Sequence, residues 1–303
     1  MITVLTGSLI GGGAEKNCVL LCNELSKRGY EVNVWVLQKI NLKSISLSKK
    51  IAVTSLNLKY SRSSFFKILT LLKKKNPPII FSYNPQLSVI LVMIRIIYKK
   101  KFKIISRSIN TLSHEYSNKN SLWTKIIVKS FVKFFYKKSD LIIAQSLGMK
   151  NDLKSFFGID ENKISTIYNP AFLQNNQSNA IKSGKIKLHE ILYIGRFEKQ
   201  KNLFTLLELF SQMAKIDDKL NMRMVGEGSL KNKIIKHINN NGLDKKIIIQ
   251  NYDNNPYDLY KKAKITVLVS NYEGMPNVLL ESISLGTPVV SFDIDHGPRE
   301  IIK

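Results

Sequence analysis

Three short loops in this sequence combine glycine with charged side chains in a way that suits a phosphorylated ligand. The first, Gly11-Gly12-Gly13-Ala14-Glu15, leads into a helix. Glycine there lets the backbone approach a phosphate or a sugar, with helix amides aimed at it. The run lacks the full dinucleotide-binding spacing, and a plain turn explains it equally well. The second, Gly195-Arg196-Phe197-Glu198-Lys199-Gln200-Lys201-Asn202, follows the strand-like segment LHEILYI. Arg196, as a fork of donors, and Lys201, as a point charge, suit the grip of a diphosphate without a metal. A solvated basic turn is the competing reading. The third runs from Glu273 through Gly274, Met275, Pro276, Asn277 and Val278 to Glu281. Pro276 fits the first turn of a helix, leaving amides from Gly274 to Asn277 for an anion. Glu273 falls just outside that helix and Glu281 about a turn and a half along it. Carboxylates so placed accept hydrogen bonds from sugar or ribose hydroxyls; taken singly, each also reads as an ordinary surface charge.

These loops need strands to end where they begin. Short apolar runs alternate with amphipathic stretches, the pattern of parallel α/β sheets. Strands are expected at 2–6, 32–37, 52–56, 79–82, 103–106, 141–145 and 164–168, then at 188–194, 222–225, 246–250, 265–268 and 288–291. Helices are expected at 14–28, 123–137, 203–215, 230–240, 256–263 and 276–285. Asn169-Pro170 and the polar QNNQSNAIKSGK break the series as a linker would. The expected organisation is therefore two Rossmann-like α/β domains, 1–170 and 188–303, joined by a linker at 171–187. Ligand would lie in a cleft between facing strand ends.

Composition narrows the function classes. The 303 residues are 44% hydrophobic and 23% charged, an ordinary globular balance. Lys and Arg number 47 against 22 Asp and Glu, a formal net charge of +25 that calls for anionic partners. Cys18 and Cys22, one helical turn apart, read as small core residues. His114, His189, His237 and His296 show no ligand spacing, so no metal site is expected. The opening residues read as a strand and not as a signal peptide. The longest apolar run, 87–98, is interrupted by Arg95 and too short to span a bilayer. A cytoplasmic protein is expected. The segments SSFFKILTLLKKK, VILVMIRIIYKKKFK and WTKIIVKSFVKFFYKK carry aromatics among lysines. They suit either core-facing helices with a solvated lysine face or peripheral contact with an anionic membrane at the inner face of the plasma membrane. Nucleic-acid binding is not expected, since it would rest on charge alone.

Taken together, ILYIGRFEKQKN, VGEGSLK, NNPYDLYKKA, SNYEGMPNVLLES, SLGTPVVSFD and GPREII resemble the retaining GT-B glycosyltransferases of the family-4 type. The ending and NPYDLYKKA are most similar to members that build bacterial surface polysaccharide. The resemblance covers nearly the whole chain and is strongest over 191–302. It implies that Arg196 and Lys201 hold the donor diphosphate, that Glu281 holds the ribose and that Glu273 contacts the donor sugar. It further implies that Gly274, Met275, Pro276, Asn277 and Val278 present amides to sugar and phosphate. Gly11 and Gly12 would close over the diphosphate, and Gly226-Glu227-Gly228 would lie near the base. Glu273, Arg196 and Lys201 are then the catalytic candidates, with no cofactor or metal. The implied donor is a nucleotide-diphosphate sugar, UDP-linked, and the implied acceptor a lipid-linked saccharide.

Some features depart from that pattern. The usual histidine beyond a middle strand is absent from Ser106-Arg107-Ser108-Ile109-Asn110, so Arg107 or Asn110 is expected to contact sugar or acceptor in its place. Asn251 stands where glycine is common. Asp293-Ile294-Asp295 spells a metal motif of a different glycosyltransferase fold and is read as coincidence. Relatives continue past GPREII with further helices, so a C-terminal truncation is expected, with those helices missing. An inactive nucleotide-binding protein and a sugar-nucleotide epimerase are the alternatives; a monomer is favoured.

Overall fold

The computed structural model describes residues 1–10, 12–38, 40–41, 46–117, 129–171, 189–252 and 256–302, with the backbone alone at 115–117. Gly11, most of the expected linker and the first part of the expected helix at 123–137 lie outside the described residues. The chain divides into two compact units, Met1–Asn169 and Pro170–Lys303.

In the first unit the order is β1 (Ile2–Thr6), α1 (Gly13–Lys27), β2 (Val32–Val36), β3 (Ala52–Ser55), α2 (Phe65–Lys75), β4 (Ile79–Ser82) and α3 (Pro85–Ile97). It continues with β5 (Lys103–Arg107), α4 (Leu112–Ser117), α5 (Lys129–Tyr136), β6 (Leu141–Ala144), α6 (Leu147–Phe157) and β7 (Ile164–Thr166). The seven strands are parallel in the order β3-β2-β1-β4-β5-β6-β7. Alternate side chains feed opposite faces: Leu5, Trp35 and Ile80 pack with α2 and α3, whereas Val4, Val34 and Val36 pack with Cys18 and Cys22 of α1. Both cysteines are fully buried and free, as small core residues are expected to be. Local signals set the helix ends. Asn84 accepts from Gln86 N at 2.8 Å with Pro85 behind it, starting α3, and Ser146 accepts from Met149 N at 3.1 Å, starting α6.

The second unit runs β8 (Glu190–Ile194), α7 (Leu203–Ile216), β9 (Asn221–Val225), α8 (Lys231–Asn240), β10 (Ile247–Gln250) and α9 (Tyr257–Lys262). It then adds β11 (Ile265–Leu268), α10 (Asn277–Ser284), β12 (Val289–Ser291) and α11 (Pro298–Ile301). Its five parallel strands are ordered β10-β9-β8-β11-β12. Tyr193, Met222 and Met224 face α7 and α8, while Leu192, Ile194 and Val225 face Tyr257 and Tyr260 of α9. Burial on both faces explains why the central strand β8 reads as an apolar run, while β10 and β12 at the edges leave Ile248 and Val290 exposed. In each sheet the chain order reverses beside its first strand, between β1 and β4 and between β8 and β11. Such switch points open a crevice at the carboxyl ends of the strands, where ligands bind.

Candidate functional site

Arg196, Lys201 and Glu273 lie on the loops at the switch point of the second unit, whereas Glu281 sits within α10 against Tyr260 of α9. The loop after β8 carries Arg196 and ends in a tight turn at Lys199–Lys201; the loop after β11 carries Glu273. Asn271 N donates to Gln200 O at 2.8 Å, Asn271 Nδ2 to Lys199 O at 3.3 Å and Gln200 Nε2 to Tyr272 O at 2.8 Å. Across this seam Lys201 Nζ pairs with Glu273 Oε1, the two side chains only 12% and 7% exposed. Arg196 stays on the exposed rim, its Nη2 donating to Gln200 Oε1 at 3.2 Å. One cation is thus paired and sheltered and the other open to solvent. Below them Tyr193, fully buried, donates its hydroxyl to Arg196 O at 3.2 Å. Burial first, and the charge of Glu273 second, hold that phenol well above its usual range, so it remains a donor at neutral pH.

The neighbouring loop after β9 is locked onto the same rim. Phe197 N donates to Glu227 O at 2.8 Å, and Leu230 N to Phe197 O at 2.9 Å. Glu198 accepts from Ser229 through both N, at 2.9 Å, and Oγ, at 2.7 Å. The glycines are required by proximity: a Cβ on Gly226 would lie 1.9 Å from Gly195 O, and one on Gly228 2.4 Å from Phe197 O. Lys231 Nζ spans to Glu227 Oε1 at 3.0 Å and Asn251 Oδ1 at 2.6 Å, fastening the end of β10 to this loop. The asparagine that replaces the common glycine therefore has a structural partner.

The turn Gly274–Pro276, wholly buried, precedes α10. Pro276 is the cap of that helix and not a residue of its first turn, because its ψ of 108° is extended. Its carbonyl accepts from Leu279 N at 3.2 Å. Gly297 of the GPREII segment, at φ 81°, lies against this turn, where a Cβ would meet Gly274 O at 2.4 Å and Pro276 Cδ at 2.8 Å. Glu281 faces inward from α10, 4% exposed, and accepts from Tyr260 Oη at 2.8 Å. Burial and the Glu281 charge push the Tyr260 phenol well up. Tyr260→Phe leaves a buried carboxylate without that donor. It is expected to cost roughly 1–3 kcal/mol in a thermal melt, and an unchanged melt would show that Glu281 does not need it.

Gln200 and Tyr260 went unmarked in the sequence, the first because glutamine carries no pattern. Tyr260 shares a helical stripe with Tyr257, which reads as core. Asp293 and Asp295 both engage Arg299, Asp293 in a two-pronged pair at 2.7 and 3.0 Å and Asp295 at 2.6 Å. Among the described residues no group of three or more His, Cys, Asp or Glu is placed to hold a metal ion.

In the first unit a cavity of about 370 Å³ opens at the other switch point, lined by Thr6, Ser8 and Glu15 after β1 and by Tyr83 and Asn84 after β4. Glu15 organises the glycine loop: its Oε2 accepts from Ile10 N at 2.8 Å and Gly12 N at 2.9 Å, and its Oε1 from Ser8 Oγ. Arg107, at the end of β5, is buried. Its Nη2 donates to Asn169 Oδ1 at 2.8 Å and its guanidinium lies 5.8 Å from the Tyr83 ring, while Nε has no hydrogen-bond partner among the described residues. Burial presses its pKa down. Asn110 is half-buried, its carbonyl accepting from Ser108 Oγ at 3.0 Å.

Residues 11–174 match the family described as Glycosyltransferase Family 4. The chain belongs to glycosyltransferase family 4. Residues 175–303 of this family-4 chain match the description Glycosyl transferases group 1. It is similar to the N-acetylgalactosamine-N,N'-diacetylbacillosaminyl-diphospho-undecaprenol 4-alpha-N-acetylgalactosaminyltransferase of Campylobacter jejuni, 30% identical over 67% of this chain and 54% of that protein. An uncharacterized glycosyltransferase of Methanocaldococcus jannaschii is 28% identical over 78% of this chain and 61% of its own length. The chain thus spans just over half of each of these relatives. The solved structure of HepE from Anabaena in complex with UDP and glucose covers all of this chain and 83% of its own, at 15% identity and a TM-score of 0.75. That likeness establishes the GT-B fold of two parallel-sheet α/β domains.

Proposed function

We propose that this family-4 chain transfers a hexose or N-acetylhexosamine, with retention, from a nucleotide-diphosphate sugar, UDP-linked, to a lipid-linked saccharide in the synthesis of bacterial surface polysaccharide. The observation that carries the reading is the convergence of Arg196, Lys201 and Glu273 at the switch point of the second sheet, beside the start of α10. Two cations and a helix N-terminus supply the positive field that a departing nucleoside diphosphate needs, and they do so from fixed positions. In this reading Glu273 accepts from a sugar hydroxyl beside the diphosphate, and Glu281 from a ribose hydroxyl. The turn at Gly274–Val278 would present its backbone to sugar and phosphate. In the first unit, Gly11 and Gly12 would close over the diphosphate in the loop that Glu15 shapes, and Arg107 or Asn110 would meet sugar or acceptor. No cofactor or metal is assigned to the reaction. The Campylobacter relative, whose name specifies a diphospho-undecaprenol acceptor, and the UDP-bound Anabaena structure support the choice of substrates.

A screen of nucleotide-sugars with membrane extract as acceptor source, read as nucleoside diphosphate release, tests the proposal. Release from a UDP-sugar is expected, and Glu281→Ala should reduce it at least about a hundredfold by losing a charge-assisted grip on the nucleoside. Undiminished release by that variant would remove Glu281 from the site. Silence of the wild type with every donor would refute transfer.

A further inference from the structure

Two consecutive residues of the tight turn after β8 reach across to two consecutive residues of the loop after β11. Lys201 pairs with Glu273, and Gln200 Nε2 donates to Tyr272 O at 2.8 Å. The turn imposes this matching. Lys201 N donates to Glu198 O at 2.9 Å and Asn202 N to Lys199 O at 3.2 Å, and Asn202, at φ 51°, ends the turn. The side chains at 200 and 201 therefore leave a backbone already fixed by its own hydrogen bonds.

The other end of the same amide meets the exposed cation. Gln200 Oε1 accepts from Arg196 Nη2 at 3.2 Å. A primary amide carries its donor and its acceptor on one planar carbon, so anchoring the nitrogen on Tyr272 O aims the oxygen at Arg196. The partners decide which end is which: a carbonyl takes a donor and a guanidinium takes an acceptor. Glu198 does not share this role, because its carboxylate accepts from Ser229 N at 2.9 Å and Ser229 Oγ at 2.7 Å. Nor does the seam between the loops depend on the Gln200 side chain. Asn271 N on Gln200 O, at 2.8 Å, and Asn271 Nδ2 on Lys199 O, at 3.3 Å, are bonds to backbone oxygens.

We propose that Gln200 is a positioning residue that holds the Arg196 guanidinium, with its charge intact, for an anion arriving at the switch point. A free arginine side chain gives up much of its rotamer freedom when it grips an anion, and a partner that holds it beforehand removes part of that cost. A carboxylate would hold it too, but would offset the positive charge, as Glu273 does for Lys201. A neutral amide oxygen leaves the charge whole. The same amide ties the exposed cation to the backbone next to Glu273, so one side chain sets the spacing of two proposed catalytic groups. That the anion is the donor diphosphate rests on the function proposed above; the hold on Arg196 does not.

Magnetic resonance of the arginine side chains and calorimetry with UDP, both on the full chain, test it. Gln200→Met nearly keeps the shape and removes donor and acceptor together, whereas Gln200→Glu keeps an acceptor for Arg196. With the Arg196 signal assigned by its loss in Arg196→Ala, rotation of the guanidinium about Nε–Cζ is expected to be about fivefold faster in Gln200→Met. In Gln200→Glu it should stay as slow as in the wild type. Gln200→Met should weaken UDP about fivefold, yet leave the affinity of Arg196→Ala unchanged, because nothing then remains to be positioned. Equal rotation in Gln200→Met and the wild type, or an equal loss of affinity with and without Arg196, would overturn the inference. Failure of UDP to bind the wild type would instead strike the transfer proposal, and the rotation measurement alone would then decide whether Gln200 holds Arg196.

Discussion

Lys201→Ala is expected to reduce donor turnover by about a thousandfold, on the order of 4 kcal/mol of transition-state stabilisation, and to destabilise the second unit at the same time. The two effects have separate origins. Lys201 pairs with Glu273 where both are nearly buried, so removing the cation takes the counter-charge from a buried carboxylate at a cost of about 3 kcal/mol. Combining Lys201→Ala with Glu273→Gln should recover most of the lost stability in a denaturant melt and none of the turnover. Glu273→Gln alone should bind free nucleoside diphosphate more tightly than the wild type, because Lys201 is no longer shared with a competing carboxylate, yet should fail to transfer sugar. If the double variant were as unstable as Lys201→Ala, the pair would not be the reason for the loss.

Gly226→Ala should be nearly as damaging without touching any charged group. The added methyl would lie 1.9 Å from Gly195 O, a backbone atom that cannot swing aside as a side-chain end can. The loop after β8 would have to move away from the loop after β9, parting the Phe197–Glu227 hydrogen bond and displacing Arg196 from the rim. Overpacking of this kind typically costs about 1–3 kcal/mol, and a shift near 1 Å at a reacting group can cost about a hundredfold in rate. The measurement is donor turnover against melting temperature. Gly228→Ala, with its contact at 2.4 Å to Phe197 O, should behave alike, whereas Gly242→Ala, at φ 64° but with no described atom within 4 Å of its Cβ, should lower the melting temperature and leave turnover intact.

Much of this architecture was legible in the residues. The apolar runs mark strands within a residue or two of those found, most plainly at β2 and β8, where burial on both faces forces such composition. The glycine-and-charge loops mark the strand ends, where the loops after β8 and β9 lie directly against one another. What the sequence could not show is contact between distant residues. Lys201 and Glu273, 72 positions apart, read from the sequence as separate partners of phosphate and sugar, and nothing in either loop says that they pair. Tyr260 looks like core until Glu281 is seen to take its hydroxyl. Gly226 and Gly228 are legible as glycines, but their necessity appears only where one loop lies against the next. Pro276 shows the limit of helix-end rules: proline suits both a cap and a first turn, and its own ψ decides between them.

In the proposed reaction, fixed cations at the β8–β11 switch point neutralise a diphosphate without help from a metal ion. Calorimetric titration with UDP in the presence of a chelator measures that most directly, on the wild type and on Arg196→Ala and Lys201→Ala. Saturable binding by the wild type, weakened at least about tenfold in each variant, is the expected result. Binding that disappears with the chelator, or that persists at full strength in both variants, would contradict it.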